Sequence, residues 1–376
     1  MIISKYHFAI PVLFVMLLPF LGCNSQNLEV VDYTPISENG WTNSTPLEQG
    51  LAPALVSKLY SNAAKVRTIF SLLVVKNGYL VAEHYFHGGS IGQKARIQSV
   101  TKSFTSALVG IALEQSCLTS PDQKMMDFFP ELTDQIKDQR KNQITIRHLL
   151  QMRAGYAWEE STGELFKLLY SGFRPATLLD VPLVRNPGTG FDYSNLSSHL
   201  LGIIVARTCG TDLNSFAQDH LFRPLAIEPG EWIQGWEGYY NGHADLHMSA
   251  RDMAKFGLLY LNEGQHNGEQ IVPSEWVHES LKSYTTDAWY YRVGKNFKHV
   301  GYGYQWWSVK AGDFRYNLAW GHGGQQIALI DELDMVIVVT ADPLFGKHGG
   351  GPWKHEKANL NLVANFIASL SKEKRI

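Results

Sequence analysis

The chain has 376 residues, 45% hydrophobic and 12% aromatic, with a formal net charge of −2. That length and apolar content suffice for a large core in one compact unit or in two fused lobes. The near-neutral balance carries no electrostatic footprint for a polyanion, so no nucleic acid is expected as a partner.

At the N-terminus Lys5 and His7 precede an apolar stretch from Phe8 to Leu21, too short to span a bilayer comfortably, which ends at Gly22 before Cys23. Residues 1–22 read as a signal peptide, and residues 23–50, polar and Pro-containing, as a tether. The pattern resembles a bacterial lipoprotein signal, which implies lipidation of Cys23 and attachment to a membrane through that lipid. Phe20 stands where such signals usually carry Leu, so ordinary cleavage and a retained anchor stay open. All three place the protein outside the cytoplasm, in the periplasm or as a membrane-anchored lipoprotein.

Residues 68–75 and 79–85 flank Asn77-Gly78, a strong two-residue hairpin signal. Ser99-Val100-Thr101-Lys102 then opens a stripe of Val100, Phe104, Leu108 and Ile111, spaced four, four and three as on a helix packed into a core. Residues i and i+3 share a helix face, so the Lys102 amine reaches the Ser99 hydroxyl. A serine in a first helical turn also lies beside unpaired N–H groups and the positive dipole end, which favour a developing oxyanion. Ser99 is the candidate nucleophile and Lys102 the candidate base. A second S-x-x-K, from Ser369 to Lys372, lies in what reads as a polar C-terminal tail and is taken as chance.

Tyr-x-Asn occurs at Tyr60, Tyr193 and Tyr239. Only Tyr193-Ser194-Asn195 has a site-like setting, with a turn at 186–190 before it and an apolar helix pattern at 200–205 after it. His-Gly-Gly occurs at His87, His322 and His348. The His322 copy lies in an apolar run from Leu318 to Ile330, followed after a short acidic turn by residues 335–340. This reads as a hairpin of two strands, with glycines where a backbone lies close to a ligand. The other two copies read as turns.

The stretch from Ser99 to about Leu261 is mostly helical by pattern, with a capping box at Ser249 and Asp252, and residues 358–370 close the chain with a helix. The fold class is α/β in the α+β sense: one antiparallel sheet flanked by helices, with an inserted, mostly helical lobe. The sheet lobe covers about 51–98 and 290–376, the helical lobe about 99–289. Cys117 and Cys209, each near the end of a predicted helix, read as two buried free thiols, although an oxidising compartment permits a disulfide.

Taken in order, Ser99-x-x-Lys102, Tyr193-x-Asn195 and His322-Gly323-Gly324 resemble the three motifs of the serine β-lactamase and penicillin-binding-protein superfamily, in its class C-like branch. The likeness runs from about Ser71 to about Asp342 and includes residues 144–150, 249–257 and 301–307. Residues 154–160 and Gly323-Gly324-Gln325 are most similar to the 6-aminohexanoate-dimer hydrolases and their carboxylesterase relatives. The resemblance implies a β-lactamase-like fold, a site in the cleft between lobes, and an acyl-enzyme on Ser99. It assigns Tyr193 to proton transfer with the leaving group and the deacylating water, the backbone N–H groups of Ser99 and Gln325 to the oxyanion hole, and Asn195 to orienting Lys102 and the substrate carbonyl. It requires no cofactor and no metal.

Relatives acting on β-lactams usually carry Lys in place of His322, or a hydroxyl residue where Gly323 stands. The expected substrates are therefore small esters, amides or peptide-like molecules. Trp158, Trp306 and Trp307 are candidates for an acyl-binding wall. The alternatives are a β-lactamase, a D-alanyl-D-alanine carboxypeptidase-type penicillin-binding protein, or a penicillin sensor that acylates once. A metallohydrolase built on His243, Asp245 and His247 is the rival of a different class, weakened by the lack of the glutamate inside His-x-x-x-His.

Overall fold

Asn77 and Gly78 adopt φ of 52° and 79°, the left-handed pair that a tight hairpin turn requires. They join strand β1 (Ile69–Lys76) to β2 (Tyr79–Tyr85). This computed structural model describes residues 31–37, 40–161, 163–164, 167, 174–235, 237–344 and 351–373. The signal peptide and Cys23 lie outside the described residues.

In chain order the helices are α1 (Pro53–Ala63), α2 (Thr101–Glu114), α3 (Ile146–Leu150), α4 (Asn195–Cys209), α5 (Leu213–Ala217), α6 (Ala250–Leu261), α7 (Ser274–Leu281) and α8 (Pro352–Glu373). After β2 come the two short pairs β3 (Ala95–Arg96) with β4 (His247–Met248) and β5 (Gln265–His266) with β6 (Glu269–Gln270). The C-terminal strands are β7 (Lys298–Tyr302), β8 (Trp307–Ala311), β9 (Phe314–Gly321), β10 (Gln325–Ile330) and β11 (Met335–Ala341).

N- and C-terminal strands join in one seven-stranded antiparallel sheet of order β2-β1-β11-β10-β9-β8-β7. Alternation along β1 sorts its side chains between two cores: Leu73 and Val75 face the core shared with α2 and α6, Leu72 and Val74 the core shared with α1 and α8. The same period separates adjacent tryptophans. Trp306 is fully buried against Phe256 and Tyr260 of α6, whereas Trp307 stacks on Tyr193. Trp306 is thus packing and not part of an acyl-binding wall.

Two further expectations change. From Val31 onward the presumed tether is attached to the sheet edge: the Glu83 N–H donates to Tyr33 O (2.9 Å) and the Ser44 N–H to Leu80 O (3.2 Å). A buried Arg251–Glu83 pair, with two N–O contacts of 2.7 Å, locks that strap to α6, because Ile36 N–H donates to Glu83 and Ile36 O accepts from Arg251. Ser369 lies on α8, not in a tail, and donates to Phe366 O.

Cys117 and Cys209 form a disulfide, with Cα atoms 5.1 Å apart, instead of two free thiols. The reason is tertiary. Helices α2 and α4 both begin at the Lys102–Asn195 hydrogen bond and run in the same direction, so their far ends meet. Pairwise spacing along the sequence carries no trace of that encounter.

Candidate active site

Ser99 sits in a 3₁₀ turn, Gln98–Val100, immediately before α2, rather than inside the α-helix. Helix α2 is buried from Thr101 to Ala112, which carries Lys102 out of water and leaves it 1% exposed. Lys102 Nζ lies 2.8 Å from Ser99 Oγ, 2.7 Å from Asn195 Oδ1 and 2.8 Å from His243 O. Burial pulls its pKa down to about 7, against the opposing charges of Glu160, Glu159 and Asp245. A substantial fraction of Lys102 is therefore neutral near pH 7, as a base requires.

Tyr193 belongs to the loop before α4. Its ring stacks on Trp307 at 5.5 Å, meets Tyr302 edge-on at 6.2 Å, and lies with its centroid 4.9 Å from Lys102 Nζ. Asn195, 2% exposed, starts α4. The structure thus brings together Ser99, Lys102, Tyr193 and Asn195, four residues from two distant motifs.

The start of α4 is fixed by a residue with no assigned role in the sequence reading. Glu159, 1% exposed, accepts from Ser194 Oγ (2.6 Å), Asn195 N–H (2.8 Å) and Leu196 N–H (3.0 Å). Those backbone donors are otherwise unpaired at a helix N-terminus. Burial raises the Glu159 pKa, against the hydrogen bonds from Ser194, Leu196 and Asn195 that favour the carboxylate. Glu160 accepts from Asn195 Nδ2 at 3.0 Å. Its only sequence signal was an acidic doublet within the 154–160 resemblance.

Buried Gln305, φ 64°, supports the floor from below. It accepts from Ser198 Oγ of α4 (2.6 Å) and Ser103 Oγ of α2 (2.8 Å), and donates to Leu149 O and Leu150 O of α3. One side chain and its carbonyl thereby register three helices.

The third motif forms a turn. Strand β9 ends at Gly321, His322 to Gly324 turn, and β10 begins at Gln325, with φ of 92° at Gly323 and 82° at Gly324. The run read as one strand is therefore two. Glycine is required at both positions by that backbone. At Gly324 a Cβ would also meet the Asn359 side chain at 2.4 Å, so the close approach there is to protein.

His322, half-exposed, places Nδ1 3.1 Å from Glu356 Oε2 of α8. Burial lowers its pKa, but the Glu356 hydrogen bond and charge, with Glu160, outweigh that and raise it. Glu356 also accepts from Trp320 Nε1 (2.8 Å) and the Gly323 N–H (3.2 Å). The Gln325 side chain is committed to the Ala341 backbone in both directions, leaving only its backbone for a role in the cleft.

Trp158 faces Trp289 at 5.8 Å, and Trp289 in turn meets Trp307, Trp320 and Trp353 within 5.1–5.8 Å. Five tryptophans, spread from residue 158 to residue 353, build this aromatic wall beside Tyr193.

Residues 63–346 match the Beta-lactamase family. The chain belongs to that family. It is a member of the β-lactamase-like hydrolase superfamily, whose antiparallel sheet flanked by helices it shares. It is 25% identical over 287 residues to the 6-aminohexanoate-dimer hydrolase of Paenarthrobacter ureafaciens, covering 71% of each chain. In structure it is similar to a Bacillus anthracis protein provisionally assigned as a 6-aminohexanoate-dimer hydrolase, with TM-score 0.66, 20% identity and coverage of 92% and 90%. It is also similar to the D-amino acid amidase of Ochrobactrum anthropi, with TM-score 0.62, 17% identity and coverage of 85% and 100%. At those identities the two structural likenesses establish the fold.

The residues of the rival metal reading have other commitments. Asp245 pairs with Arg96, and His247 Nδ1 lies 2.9 Å from Glu231 O. No helix among the described residues is long and apolar enough to cross a membrane.

Proposed function

We propose that this protein is a serine hydrolase that cleaves esters or small amides through an acyl-enzyme on Ser99. The observation that carries the reading is the 2.8 Å contact between Ser99 Oγ and the buried amine of Lys102, whose pKa of about 7 suits a base. As Oγ attacks the carbonyl carbon, its proton passes to Lys102 Nζ. The backbone N–H groups of Ser99 and Gln325 receive the oxyanion. Collapse breaks the bond to the leaving alcohol or amine, which takes a proton by way of Tyr193. Water activated at Tyr193 then attacks the acyl group, the acid departs, and Ser99 regains its proton.

The substrate class follows from the third motif. With His322 bound to Glu356 and Gly323 offering no hydroxyl, the rim lacks a fixed cation and a directed donor for a carboxylate. The aromatic wall from Trp158 to Trp320 suits an apolar acyl group instead. Export belongs to the same proposal: the Cys117–Cys209 disulfide favours an oxidising compartment, in keeping with a signal peptide and lipidation at Cys23.

A fluorophosphonate is expected to leave one adduct that peptide mapping places on Ser99, with label and turnover both lost in Ser99→Ala. A label on Ser369, or full activity in Ser99→Ala, would overturn the reading. A single burst on penicillin without turnover of any ester would point to the sensor instead.

A further inference from the structure

Of the three groups that lie 2.7–2.8 Å from Lys102 Nζ among the described residues, the Ser99 hydroxyl is the one that can give it a proton; His243 O and Asn195 Oδ1 are acceptors. A neutral amine has two N–H bonds and one lone pair. With both N–H bonds directed at the two carbonyl oxygens, the lone pair faces Ser99 Oγ. The His243 carbonyl is backbone and cannot reverse. The Asn195 amide could, and a half-turn would set its NH₂ against Lys102 and draw the lone pair away from the serine. Asn195 Nδ2 instead donates to Glu160 Oε1 at 3.0 Å, a bond that the reversed amide could not make.

We propose that Glu160 is a positioning residue: by holding Asn195 Nδ2 it fixes the polarity of that amide and thereby aims the Lys102 lone pair at Ser99. The inference rests on the acyl-transfer reading of Ser99. Glu159 and Glu160 divide the work at Asn195, the first holding its backbone N–H and the second its side chain. Among the described residues, the ionisable groups facing Lys102 are Glu159 and Glu160 from the 3₁₀ turn Glu159–Ser161, His243 and Asp245 from the segment before β4, and Tyr193 from the loop before α4. Of these, Glu160 is the one whose carboxylate is bound to an amide that itself touches the amine.

Two variants separate the acceptor from the charge. Glu160→Gln keeps an oxygen for Asn195 Nδ2 and loses the charge; Glu160→Ala loses both. In Glu160→Ala the plateau kcat for a nitrophenyl ester is expected to fall about 10- to 100-fold with KM nearly unchanged, and Glu160→Gln to recover most of it. In both, the Lys102 titration, followed by NMR of the ¹³Cε-labelled side chain, should move down by about one unit, because a neighbouring negative charge is gone. The acid limb of kcat/KM should move with it. Wild-type kcat in Glu160→Ala, or equal losses in the two variants, overturns the proposal. If the wild-type protein acylates elsewhere than Ser99, the hydrolase reading fails separately. The Asn195 side-chain amide resonances still decide the hold by Glu160: retained in Glu160→Gln and shifted in Glu160→Ala supports it, unchanged in both removes it.

Discussion

The floor of the cleft and its rim are built on opposite principles. At the floor, Lys102, Asn195 and Glu159 are all at least 98% buried, and each polar atom meets a partner supplied by α2, α4 or an adjoining loop. At the rim, His322 is half-exposed on a three-residue turn and its partner Glu356 comes from the last helix. A buried network tolerates few alternatives, because each unpaired group costs about 1–3 kcal/mol. The half-exposed imidazole is screened by water and can change with less disturbance of the fold, although its partner Glu356 is buried. Under the proposed function, chemistry belongs to the floor and selectivity to the rim.

The largest break in this contrast comes from Lys102→Met. Turnover is expected to fall about 10²–10⁴-fold in steady-state kinetics. Thermal unfolding should move the other way, with Tm higher by about 3 °C, because relief of the desolvated amine outweighs the donor lost to Asn195 Oδ1 and His243 O. The pH dependence fixes the sign. With Lys102 at about 7 when folded and near 10.5 when unfolded, the unfolded chain binds more protons between those values. Stability of the wild type thus rises with pH across that window, and the advantage of the Met variant shrinks across it. A Tm lowered at every pH would mean that the hydrogen bonds of Lys102 outweigh its burial.

Next in size is the staple at the far ends of the two floor helices. Cys117→Ser opens a loop with 92 residues of sequence separation and should cost about 2–4 kcal/mol in chemical denaturation. Because the disulfide lies at the opposite ends from Ser99, kcat in dilute buffer should stay within about twofold of wild type. A large loss of kcat at full folding would show that the staple reaches the site.

Glu159→Gln tests the floor with one atom. The amide NH₂ must face one of three donors, leaving a donor against a donor, at a cost of about 1–3 kcal/mol. A Tm lower by about 1–4 °C is the expected reading in calorimetry. No change would mean that Glu159 is already protonated at the pH of the scan.

The smallest effect concerns the rim. The kcat/KM of a short-chain nitrophenyl ester is expected to exceed that of a chromogenic cephalosporin by at least about tenfold, roughly 1.4 kcal/mol. His322→Lys should narrow the ratio by supplying a permanent cation. Adding Gly323→Thr, attractive on sequence grounds alone, is expected to cost stability, because φ at Gly323 is 92°. Efficient cephalosporin hydrolysis with negligible ester turnover would return the protein to the β-lactamases proper.

Much of the floor was legible because its decisive relations are local. Ser99 and Lys102 sit three apart across the 3₁₀ turn that opens α2, Asn77-Gly78 can do little but turn, and β1, β2, β10 and β11 announce themselves by apolar content. Chemistry that one or two turns of helix can assemble is written in spacing. The motif at His322 was half-legible: the residues were found, but the glycines served a turn between two strands.

The sequence by itself determined the fold class and the spacing of Ser99 and Lys102, and it singled out Tyr193 and His322 as candidates over their decoys. Tertiary structure alone decided which distant groups finish the site: Glu159 and Glu160 against Asn195, Glu356 against His322, Trp289 against Trp158, and Cys117 against Cys209. The reason is physical. A carboxylate, an indole or a thiol carries no mark of its partner when the two are tens of residues apart, and only the burial of helices against one sheet sets the distance between them.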